Sequence, residues 1–213
     1  MIASNALRVL VPGLLLPVFM SHAGGWAVIT VDQLPDYAEA GKPLALTYVV
    51  RQHGVEPLDE LRGSIEATSG RLTAKGTVHP TGRAGRYVTS LALPSAGDWS
   101  ITIRSGFGKS DVTLLPLTVV NAGASLTRTV SDVERGQHLF VAKGCVTCHV
   151  QIEVGPRLDG KRFDATYLAG WLANPTPTVR DPNKPTMPNL GLQQREIASL
   201  VAYLNSNRQV SGR

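Results

Sequence analysis

The sequence predicts two domains, an all-β sandwich over residues 25–120 followed by an all-α domain over 131–213, with a linker at 121–130. Three observations carry that reading. The first region is a series of short β-branched and aromatic runs separated by Gly and Pro, the pattern of an antiparallel sandwich. The second switches to helical spacing, opened by a capping box at Ser131 and Glu134. Between them, Asn121-Ala122-Gly123-Ala124-Ser125 is a small polar break.

Composition fits such a chain. Hydrophobic residues make up 43% and charged residues 17%, enough apolar surface for a normal core. The net charge of +5 falls mostly beyond residue 120 and is too small to imply nucleic acid. Before the sandwich, Arg8 precedes a twelve-residue apolar run, Val9 to Met20, and Ser21-His22-Ala23 offers small residues for cleavage. Residues 1–23 are therefore expected to direct export, as a signal peptide or as an uncleaved membrane anchor, which places the protein in the periplasm or on the outer face of the cytoplasmic membrane.

The expected strands follow in order. They are Trp26–Val31, Leu44–Val50, Ser64–Thr68, Arg86–Leu93, Trp99–Arg104 and Val112–Val120. Trp99, Ile101 and Ile103 alternate and should face the core. His22, His53 and His79 are the imidazoles of the first 120 residues. With no Cys and no Met after Met20 there, they are read as loop residues rather than copper ligands.

In the second region, Val133, Gly136, Phe140 and Val141 share a helical face, and Lys143-Gly144 ends that helix. Cys145-Val146-Thr147-Cys148-His149 comes next and holds both cysteines of the chain. Two thiols separated by two residues and followed by histidine is the attachment arrangement of one covalent haem c. A redox disulfide and a zinc site are the alternatives. Zinc lacks a second ligand cluster, and a thioredoxin-like site calls for a βαβ setting. Met187 stands 38 residues after His149 in Lys184-Pro185-Thr186-Met187-Pro188, and is expected as the second axial ligand ahead of His138. Ile197, Leu200, Val201 and Leu204 mark a last helix.

These features resemble class I cytochrome c over residues 131–207. The resemblance implies that the first and last helices cross at Gly136, with Phe140, Leu200 and Tyr203 around the crossing. It also implies that the carbonyl of Pro156 accepts the imidazole proton of His149, and that Tyr167 and Trp171 lie on a middle helix as core residues or partners of a haem propionate. Gly25-Trp26, Ala40-Gly41-Lys42-Pro43, Gly85-Arg86-Tyr87 and Gly97-Asp98-Trp99 resemble the YtkA-like and FixH-like modules, which implies an immunoglobulin-like sandwich.

The function expected from this reading is single-electron transfer between redox protein partners through a His149/Met187-ligated haem, with the sandwich as docking or spacer module. Its alternative is a haem-bearing subunit held permanently in a larger respiratory or photosynthetic membrane complex. No Ser/His/Asp arrangement, carboxylate pair or phosphate loop points to an enzyme. Lys143, Lys161, Arg162 and Lys184 are expected to steer an acidic partner.

Overall fold

Among the described residues eleven strands form the body: β1 (Ala27–Val31), β2 (Ala38–Glu39), β3 (Pro43–Leu44), β4 (Thr47–Gln52), β5 (Glu56–Pro57), β6 (Ser64–Ser69), β7 (Leu72–Pro80), β8 (Arg86–Ala92), β9 (Gly97–Arg104), β10 (Asp111–Thr113) and β11 (Leu117–Val120). The computed structural model describes residues 25–175 and 186–206. The strands follow the order β1-β4-β8-β7-β6-β9-β11-β2, antiparallel except where β11 meets β2, with β10 against β9. The sheet coils until β10 approaches β1, where the Ala27 N–H donates to Ser110 Oγ at 2.8 Å. The result is an immunoglobulin-like sandwich.

Alternation decides what it encloses. Trp99, Ile101 and Ile103 lie inward with Ile65 and Ala67 of the neighbouring β6 and Tyr48 and Val50 of β4. Two of the polar groups taken inside are bonded to the backbone. Trp99 Nε1 donates to Ser95 O at 2.9 Å, and Thr89 Oγ1 accepts from the Leu46 N–H at 3.1 Å.

Strand β1 departs from alternation, because all five of its residues are buried. Ala27, Ile29 and Val31 face the sheet core, so something else must cover Val28 and Thr30. The end of the first helix contributes to that cover. The helices are α1 (Asp132–Ala142), α2 (Ala165–Ala173) and α3 (Gln194–Leu204), with a π-helical turn at Thr147–Gln151. Ala142, the last residue of α1, belongs to the sheet's own core, and Gly144 abuts Val28. A smaller apolar cluster, including Leu139, Phe140, Leu172, Leu200 and Tyr203, lies among the helices.

Polar contacts reinforce the join. Arg135 on α1 pairs with Asp36, and the Gly123 N–H donates to Glu39 Oε2 at 2.8 Å. This corrects the expectation of an all-β domain followed by a separate all-α cytochrome c fold. The chain is a β-rich, immunoglobulin-like body with a few short helices packed onto it. Alternation within single segments said nothing about a second cover over β1, so the sequence pattern exaggerated the separation.

Candidate functional site

Helix α1 delivers the chain to the Cys-x-x-Cys-His segment. Ser131 caps it, with Oγ accepting the Glu134 N–H at 3.2 Å, and Asp132 and Glu134 place negative charge in its first turn. Gly136 faces α3 so closely that an added Cβ would lie 1.9 Å from Ser199 O, and Phe140 and Tyr203 meet beside it with ring centroids 5.7 Å apart. The helix stops at Lys143 and Gly144. Gly144 adopts φ +75°, and a side chain there would meet Val28 Cγ1 at 2.3 Å and Ile29 O at 2.9 Å. Only glycine satisfies both the turn and the contact.

The next turn reorients the backbone. The Thr147 N–H donates to Gly144 O at 3.1 Å, the π-helical turn carries Cys148 and His149, and the Ile152 N–H closes it onto Thr147 O at 3.0 Å. Single π turns of this kind recur at functional sites. His149 Nδ1 lies 2.8 Å from Pro156 O. A carbonyl only accepts, so Nδ1 carries the proton, and in the neutral ring Nε2 is left with its lone pair. Gly155 makes the approach feasible, since a Cβ there would fall 2.7 Å from the imidazole. The Gly155 N–H, donating to Cys148 O at 2.9 Å, ties the loop to the turn.

Both cysteines are free thiols and partly buried. Burial pushes the Cys145 thiol up to about 12, with the neighbouring Cys148 thiol adding to the effect, and burial raises Cys148 as well. Near neutral pH both are S–H rather than thiolate. That is the opposite of the electropositive setting that activates a nucleophilic or disulfide-exchanging cysteine.

The remaining site residues lie around the helices. Met187 is half-buried and packs against the helical cluster. Trp171 is half-buried and stacks on Tyr167, with centroids 6.5 Å apart, while Tyr167 itself is 64% exposed. Pro156 is exposed and acts through its carbonyl. His53 and His79 are exposed on the sandwich. His138 lines a cleft of about 520 Å³ between sandwich and helices, with Asp36, Arg128, Glu134 and Arg195. Burial lowers its pKa, which Glu134 partly opposes.

Two expectations change here. Lys143 is 3% exposed, so it offers no surface to a partner. Its Nζ reaches Glu196 Oε1 at 2.8 Å and Asp32 O at 2.5 Å. Sequence reading took it for a surface charge because its partners lie 111 and 53 positions away. Lys161 and Arg162 are exposed, and Lys184 falls outside the described residues, as do residues 1–23. The second change concerns the cofactor. Among the described residues no group of three or more His, Cys, Asp or Glu side chains could hold a metal ion, which corrects the expected covalent haem c.

The fold and site together define an immunoglobulin-like β protein with a helical Cys-x-x-Cys-His segment seated on its first strand. No family model matches the chain, and no curated protein matches it. Among solved structures it is similar to the Lin-41 filamin domain, at 14% identity over 44% of this chain and 91% of that one, with a TM-score of 0.36. It is similar also to domains 4 and 5 of the S-layer protein SbsC, at 22% identity over 43% of this chain and 50% of that one, TM-score 0.32. The ZirS C-terminal domain is matched at 13% identity over 56% and 87% of the two chains, TM-score 0.31. Because the described residues are mostly β-sheet with few helices, and no family model matches, the expected recognition as class I cytochrome c preceded by a YtkA-like or FixH-like domain is corrected.

Proposed function

We propose that this chain is an exported electron-transfer protein whose redox chemistry is centred on Cys145, Cys148 and His149, with the sandwich as the surface that meets redox protein partners. The observation that carries the reading is the 2.8 Å contact of His149 Nδ1 with Pro156 O. It fixes the ring and its tautomer, a form of control that an unused surface imidazole does not need.

Export rests on the residue pattern of positions 1–23. Among the described residues no helix is long and apolar enough to cross a membrane. The test is a redox titration of protein recovered from an exporting host, followed by visible absorption, with the mass of the peptide carrying residues 145–149 measured in parallel. A reversible one-electron wave, lost in Cys145→Ala/Cys148→Ala and shifted in His149→Ala, supports the reading. A two-electron wave with a Cys145–Cys148 disulfide, or no wave at all, overturns it.

A further inference from the structure

We infer that Lys143 is a positioning residue that fixes the Cys-x-x-Cys-His segment to the sandwich, so that strand β1 forms part of the site's support. The side chain is a buried cation at the C-cap of α1, two positions before Cys145. One ammonium joins three elements. Lys143 itself ends α1, Asp32 O lies just past β1, and Glu196 sits in the first turn of α3. Glu196 is held in turn, because its Oε2 accepts the Gln193 N–H at 2.9 Å in a capping box.

A buried charge is costly unless it is paired and hydrogen-bonded, so this geometry is self-selecting. Moving the sandwich relative to α1 would strip the ammonium of a carbonyl. Moving α3 would strip it of its carboxylate. Gly144 supplies an independent constraint in the same place, since its Cα lies too close to Val28 and Ile29 O to admit a side chain. The residue between this clamp and Cys145 is Gly144 alone. Displacement of β1 is therefore transmitted to the first thiol through a single tightly packed residue.

The consequence for electron transfer rests on the redox reading above, whereas the positioning does not, and hydrogen exchange of the full chain tests it separately. In Lys143→Met, amides of residues 144–152 should exchange about tenfold faster, while those of β6 and β7 keep their parent rates. Lys143→Arg should restore most of the protection. If Lys143→Met does not fold, Glu196→Gln, which keeps the ammonium and its carbonyl partner, should produce the same local pattern at smaller amplitude. Unchanged exchange over 144–152 in whichever of these folds, or acceleration spread evenly over the whole sheet, overturns the assignment. Absence of a redox wave from the parent protein, with this exchange pattern present in the variants, would count against the redox reading alone.

Discussion

Arg135 grips Asp36 with two hydrogen bonds of 2.9 Å, Nε to Oδ1 and Nη2 to Oδ2, across 99 positions of sequence. The fork joins α1 to the segment that follows β1, and its third arm reaches Asp132 Oδ1 at 3.0 Å. Bidentate geometry gives this pair more weight than an ordinary surface bridge.

The Arg135 hydrogen bond is the largest cause holding the Asp36 carboxyl below its usual value, with burial opposing it and the charges of Arg135, Arg195 and His138 assisting. A depressed folded pKa means stability that is fully present above the unfolded value near 3.8 and is lost as pH falls through the lower folded one. Asp36→Asn should therefore lower stability at pH 7 and remove part of the acid dependence below about pH 4. Arg135→Met should cost about 2 kcal/mol at neutral pH. Denaturant titrations between pH 2 and 7 check both, and parallel curves for parent and Asp36→Asn would refute the assignment.

Gly136 should not tolerate a methyl group. An added Cβ at 1.9 Å from Ser199 O forces α1 and α3 apart, at a cost of about 3 kcal/mol, typical of strong overpacking. Gly136→Ala should melt earlier than the parent, with the loss seen first in the helical far-ultraviolet signal. An unchanged melting temperature would mean that the helices cross elsewhere.

Tyr48 and Tyr87 stack in the sandwich core, with centroids 5.5 Å apart, yet their hydroxyls differ. Tyr87 Oη donates to Leu58 O at 2.8 Å and accepts the Leu61 N–H at 3.1 Å, whereas Tyr48 Oη is buried with no partner. Tyr48→Phe should thus leave stability unchanged or raise it by about 1 kcal/mol, and Tyr87→Phe should lower it by about 1–2 kcal/mol. Chemical denaturation of the two variants decides, and the reverse ranking would contradict the hydrogen-bond assignment.

With both thiols unmodified, Cys145 binds its proton more tightly in the folded chain, where its pKa is about 12, than at the ordinary value of 9.0. The sign follows from proton binding. Between pH 9 and 12 the native state holds the extra proton, so stability falls as pH rises through that window. Cys145→Ala should flatten the fall. Alkylation at pH 8 should label Cys148, the less enclosed thiol, before Cys145, as peptide mass spectrometry would record. Preferential labelling of Cys145 would refute the burial argument.

The sequence by itself determined most of the sheet and the local form of the site. Strands β1, β4, β6, β8 and β9 were legible because alternation and Gly/Pro punctuation act over a few residues. The α1 cap, its stop at Lys143-Gly144 and the last helix were legible for the same reason. Strand β7 was not, because its residues are mostly exposed and its order comes from pairing with β6 and β8. Tertiary structure alone decided that β1 is covered on both faces, that Asp36 belongs to Arg135, and that Lys143 is buried rather than presented to a partner. Each of these depends on groups tens of residues apart meeting in space, and a charged side chain reads the same in a sequence whether water or a distant carboxylate surrounds it.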